Sequence, residues 1–161
     1  MFEFVLIVVA GVHACTWPAE FAGSVWLDSD RGQVAFTSVS VTGWSITAQG
    51  DQEVSGWDCY FHNTTGTGYT LAMQAQGTFV IFKTEYRAFA CLQLTRVADS
   101  TFIYYLMSEE ETRLYKDRLY VKVEPNGTQA TPSAADVCLA ASHAEAPPAN
   151  EYHLFIKNVS S

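Results

Sequence analysis

The chain has 161 residues, 48% of them hydrophobic and 14% aromatic, with nine basic against 17 acidic side chains and a formal charge of −8. That length suits one domain with a single core. The acidic balance disfavours nucleic acid or an anionic lipid surface as partner, because both would repel it.

Residues 1–14, MFEFVLIVVAGVHA, form an apolar run ending in Val12-His13-Ala14, the pattern of a secretory signal peptide cleaved before Cys15. The run is too short to span a bilayer, so a membrane anchor is the weaker reading, and no other stretch is long enough for a transmembrane segment. A bacterial lipoprotein signal ending at Cys15 is the other alternative, against which His13 occupies a position that wants a small residue. The expected organisation is therefore a signal peptide at 1–14 and one domain at 15–161. Three glycosylation sequons, at Asn63, Asn126 and Asn158, fit a eukaryotic secreted, extracellular glycoprotein. Four cysteines, Cys15, Cys59, Cys91 and Cys138, read as two disulfides in an oxidising compartment, with three connectivities open. They offer no zinc-ligand spacing, and the residues imply no metal and no cofactor.

From Phe21 to Val123 the chain reads as short strands, near 22–28, 33–41, 43–49, 57–62, 68–76, 78–83, 87–96 and 101–107. Gly32, Gly43, Gly50, Gly56, Gly66 and Gly77 fall between them and suit turns. In 68–76, Leu71, Met73 and Ala75 share one face, opposite Thr70, Gln74 and Gln76. In 101–107 both faces are apolar, which predicts a strand covered on both sides. Ser108 with Glu111 forms a capping-box pattern, so a helix of two or three turns is expected there. Leu119, Val121 and Val123 alternate as a further strand that ends at the turn Pro125-Asn126-Gly127. Ser133 with Asp136 repeats the capping pattern and predicts a second short helix over 134–143, carrying Cys138. The tail 152–159 alternates weakly, as an edge strand does.

The segment Thr84-Glu85-Tyr86, followed by RAFACLQL, resembles the second conserved motif of the lipocalins, and CTWPAEFAGSVW resembles the first, with Phe21 and Gly23 as the matching residues. Here Trp26 stands three residues after Gly23, and Glu85 takes the place of the motif's aspartate; Arg113 or Arg118 would supply the third motif. The order of Cys15, Phe21-Ala-Gly23, Gly56-Trp-Asp-Cys59 and Tyr86 to Cys91 also resembles cysteine-containing secreted modules of animals. The resemblance implies a mostly β protein, an antiparallel up-and-down β-barrel with one or two short helices after the barrel strands. It further implies that Thr84-Glu85-Tyr86 is a turn closing one barrel end, its polar groups bonding loop amides. It implies a disulfide pairing of Cys15 with Cys91 and Cys59 with Cys138.

Nucleophilic catalysis finds no support: His62, His143 and His153 lie in no recognisable motif, His62 beside a sequon reading as an exposed loop residue, and no Gly-x-Ser-x-Gly occurs. Glu109, Glu110 and Glu111 are explained by capping, and Asp28 and Asp30 by a turn, with a calcium site as the alternative. No enzyme activity is therefore expected. The aromatics carry more information. Trp44, Trp57, Tyr60, Tyr69, Phe79 and Phe89, with Leu71, Met73 and Ile81, could line an apolar pocket for a small hydrophobic or amphipathic ligand. They could equally fill a closed core, leaving an extracellular interaction or matrix module that works by its surface. Lys83, Arg87 and Arg96 are the basic residues nearest this region; any of them could meet a ligand's anionic group, or be a plain surface charge. The sequence names no protein partner.

Overall fold

The computed structural model describes residues 15–115, 117–124, 131–138 and 147–159. The expected signal peptide, the turn at Pro125-Asn126-Gly127, the sequon at Asn126, His143 and positions 139–143 of the expected second helix lie outside them. The strands are β1 (Val25–Asp28), β2 (Gly32–Phe36), β3 (Ser40–Ala48), β4 (Gln52–Thr65), β5 (Gly68–Ala75), β6 (Phe79–Ile81), β7 (Thr84–Ala98), β8 (Thr101–Leu106), β9 (Glu110–Glu111), β10 (Asp117–Arg118), β11 (Tyr120–Val123) and β12 (His153–Lys157). One short helix, α1 (Ala134–Val137), joins them.

Eight of these strands close a barrel. Each pairs antiparallel with its neighbour in the order β1, β2, β3, β4, β5, β7, β8, β12, and β12 returns to β1. The mostly β, up-and-down barrel expected from the sequence is thus the fold. Its wall follows the pleat: on β7, Ala88, Ala90, Leu92 and Leu94 face the main core, while Phe89 and Cys91 face away from it.

Several expectations need correction. The tail is no edge strand: β12 is paired on both sides and completes the barrel. Gly43 and Gly56 lie inside β3 and β4 rather than in turns. At Gly43 the φ is +90°, and a Cβ would stand 2.2 Å from the Gln33 carbonyl oxygen, so the neighbouring strand can approach only a glycine. The register shifts between Thr42 and Ile46, and the buried positions switch from Val41 to Trp44. That break in period divides one strand into apparent halves, while the true turn lies at Thr37–Ser40, where the Thr37 hydroxyl accepts from the Val39 and Ser40 amides.

Ser108-Glu-Glu-Glu111 starts no helix of two or three turns. Ser108 is buried and turned toward the Val137 carbonyl, to which its hydroxyl donates, and away from the amides that follow it; Glu111 instead accepts from the Arg113 amide over a single 3-10 turn at Thr112–Leu114, and Tyr115 at φ 53° ends it. The second capping box does form, with Ser133 and Asp136 bonding each other's amides at the start of α1, but α1 stops at Val137 and Cys138 is its cap, not part of a helix running on to 143. Residues 78–83 give a strand, β6, but it lies outside the barrel wall and pairs with the projecting first residues of β7.

Thr84, Glu85 and Tyr86 are those first residues, not a loop. Glu85 accepts a hydrogen bond from the Thr78 hydroxyl rather than from loop amides, and Tyr86 stacks on Phe79 at 5.6 Å. His62 likewise lies within β4 and is half-buried.

The disulfides are Cys15–Cys59 and Cys91–Cys138, not the implied Cys15–Cys91 and Cys59–Cys138. Strand parity explains the difference. Cys59 pairs across the sheet with Met73, and Met73 with Ala90, all against the main core; Cys91 pairs with Ala72 on the opposite face. The N-terminal segment runs beside the barrel end near Cys59, since Trp17 and Cys59 both bond the 38–39 turn through their amides. The segment carrying α1 lies against the outer face of β7, where Cys91 is.

Candidate functional site

The barrel interior is built from rings. Trp26 stacks on Phe155 at 4.9 Å, Trp44 meets Trp57 edge-on at 5.4 Å, and Phe21 lies 5.0 to 5.6 Å from Trp26, Tyr69, Phe36 and Phe102. Such contacts suit aromatic pairs and leave the space between strands occupied. Both ends are stoppered. At one end the turn at residues 18–23 inserts Phe21, fully buried, with Trp17 donating its indole N–H to the Ser40 carbonyl. At the other the 3-10 turn inserts Leu114, also buried in the main core.

A polar chain runs through this interior. Trp57 donates its indole N–H to the Trp44 carbonyl at 2.6 Å, Trp44 donates to the Tyr104 hydroxyl at 3.1 Å, and Tyr104 donates to Asp28. The other Asp28 oxygen accepts from the Asp30 and Arg31 amides, so this nearly buried carboxylate anchors the β1–β2 turn. Burial first, and the adjacent Asp28 charge second, push the Tyr104 phenol far above its ordinary range, which keeps it a donor at any physiological pH. Arg31 covers the Trp44 ring at 3.7 Å and pairs with Asp117 at 3.3 Å.

Of the nine residues predicted to line a pocket, Trp44, Trp57, Leu71, Met73 and Phe79 are buried in the main core, with Tyr69 and Ile81 at its margin. Tyr60 and Phe89 are elsewhere. They belong to a second cluster on the outer face of the barrel, with Ala72, Cys91 and Val137, under α1. There Tyr60 donates its hydroxyl to the Pro132 carbonyl. The basic trio divides as well: Arg87 pairs with Glu124 and Arg96 with Glu20, while Lys83 is exposed in a turn.

Sequence reasoning missed Phe21, Trp26, Phe102, Tyr104 and Phe155 as members of the same buried core as Trp44 and Trp57. Phe102 and Tyr104 lie in 101–107, whose two apolar faces predicted a strand covered on both sides; only the Phe102, Tyr104 and Leu106 face is buried, with Ile103 and Tyr105 half-buried, and nothing in the sequence told which strands would face each other. The surface carries open hollows. One of about 150 Å³ is lined by Leu106, Asp117, Arg118, Asn150, Glu151 and His153, where Arg118 pairs with Glu151 and His153 with Asp30. Another of about 330 Å³ lies between Thr64–Tyr69 and Arg96. Among the described residues no group of His, Cys, Asp or Glu is placed to hold a metal ion, and no helix is long and apolar enough to cross a membrane. No protein-family model, curated protein or solved structure matches the chain.

Proposed function

We propose that this protein is a secreted, glycosylated barrel that works without catalysis as an extracellular interaction module, through its outer surface and not through a ligand held inside. The observation that carries this reading is the closed interior: nested aromatic rings fill the barrel, and Phe21 and Leu114 stopper its two ends. A barrel of eight strands is only wide enough for its side chains or one small ligand, so rings that occupy the axis leave little room for a guest. Two disulfides support an oxidising, extracellular setting. Exposure of the Asn63 side chain supports glycosylation. The closed up-and-down barrel, with Trp26 on its first strand, supports kinship with the lipocalin design, of which this would be a filled variant.

Native mass spectrometry of the protein purified from its own source, with organic extraction, tests the reading. An empty protein that also fails to bind a hydrophobic fluorophore is the expected result. A stoichiometric apolar compound recovered from the folded protein would establish the pocket reading instead.

A further inference from the structure

Among the described residues Phe82 is the most exposed large hydrophobic side chain, at 95%. It sits with Lys83 at the tip of the β6–β7 hairpin, between the paired residues Ile81 and Thr84. Both tip residues have positive φ, 47° and 65°, as a two-residue turn of this kind requires. Asn-Gly satisfies that geometry without strain, whereas phenylalanine and lysine do not. A strained backbone that displays an aromatic ring to water points to a use for the ring.

The hairpin is also held rigid. Phe79 is buried and stacked on Tyr86, and the Gln52 side-chain amide bonds Val80 twice, donating to its carbonyl at 2.7 Å and accepting from its amide at 2.8 Å. Gln52 thus pairs with the hairpin's outer edge as a neighbouring strand would. A ring presented on a fixed support loses little freedom when it is bound, the property of an interface anchor.

Charge selects the partner. Asp51 and Glu53, on either side of Gln52, and Glu85, opposite Val80, are exposed carboxylates around the tip, where the described cations are Lys83 and, over the Tyr86 ring, Arg113, which is paired with Glu111. With a chain charge of −8, this rim repels a second copy and an anionic bilayer alike. Asn63, near the β4–β5 turn, and Asn158, after β12, stand toward the opposite end of the barrel from the hairpin, while the third sequon, Asn126, lies outside the described residues.

We propose that the Phe82 hairpin is the docking anchor of this module, inserting its ring into an apolar cleft on a partner protein whose rim is basic. The proposal rests on the interaction-module reading and adds the site and the partner's chemistry.

The test uses the full glycosylated chain as bait for a phage-displayed library of random cyclic peptides, with the double variant F82D/K83G as the comparison, since asparagine at 82 before Thr84 would create a new glycosylation sequon at the tip. That variant puts the preferred turn residues at the tip and should unfold at a higher temperature than the wild type, so lost binding cannot be ascribed to misfolding. The expected result is enrichment of peptides that join apolar residues to Lys or Arg. They should bind the variant roughly tenfold or more weakly, with affinity that falls as salt rises. Three results would each overturn the proposal: no enrichment, neutral or acidic peptides, or basic peptides that bind both proteins alike. The last would leave the interaction-module reading intact and move its site elsewhere. Phe82-dependent binding to phosphatidylcholine vesicles, in place of peptides, would also overturn it and make the hairpin a membrane anchor.

Discussion

Tyr104 joins two otherwise separate buried groups, the Trp44 indole N–H and the Asp28 carboxylate. Tyr104→Phe keeps the ring and removes the link, leaving a buried donor without its acceptor and a carboxylate short of a donor. The expected cost is about 1–3 kcal/mol, read as a shift in the urea midpoint at unchanged slope. Glu20 is a second test at this scale. The Arg96 guanidinium bonded to it, with help from the Tyr69 hydroxyl, outweighs partial burial and holds its carboxyl below the ordinary value of 4.5. A lowered carboxylate pKa stabilises the fold above the unfolded value, and that contribution is lost as pH falls through the folded one. Melting temperatures of wild type and Glu20→Gln, compared between neutral pH and pH 3 or so, should therefore converge on acidification; a constant difference would remove Glu20 from the account.

Among the elements, α1 depends most on a covalent link. Four residues make too short a helix to persist alone, and its described anchors are Val137 packed against the barrel, the Ser108 hydroxyl on the Val137 carbonyl and the Cys91–Cys138 disulfide. Replacing both cysteines by alanine should lower stability by about 2–5 kcal/mol and uncover Phe89 and Tyr60. The checking measurement is hydrogen exchange on 86–92 and 131–138: faster exchange confined to these segments is expected, whereas exchange raised throughout would tie the bridge to the whole fold. The 109–115 segment shows how an element can be misjudged from local signals. Its capping pattern is real, but tertiary contacts take Ser108 away from it, and the backbone settles into a two-stranded pairing of β9 with β10 around the 3-10 turn that buries Leu114.

For the whole molecule the closure by β12 is decisive. Its Phe155 stacks on Trp26 and lies edge-on to Tyr104, and its backbone pairs with β1 on one side and β8 on the other. A chain ending at Tyr152 would leave two long apolar edges unpaired, a known route to aggregation. Such a truncation is expected to lose cooperative thermal unfolding and near-ultraviolet circular dichroism together, and a truncated chain that melts as sharply as the full one would show that the barrel does not need its last strand.

The sequence by itself determined the class of fold and most of the strands. Alternation on 68–76, the apolar run of 101–107, turn residues near Gly32, Gly50, Gly66 and Gly77, and the even cysteine count are local signals, set by the pleat and by backbone sterics. It also marked most of the interior residues that it proposed for a pocket, because buried apolar positions look alike whether they fill a core or line a cavity. What only the tertiary structure decided is everything that depends on which strands meet and which way they face. Parity on β4 and β7 set the disulfides, the register shift at Gly43 kept β3 continuous while the turn fell at Thr37–Ser40, and β12 turned a tail into barrel wall. The stoppered ends belong to the same class, since Phe21 and Leu114 reach the core only once the chain between them has closed around it.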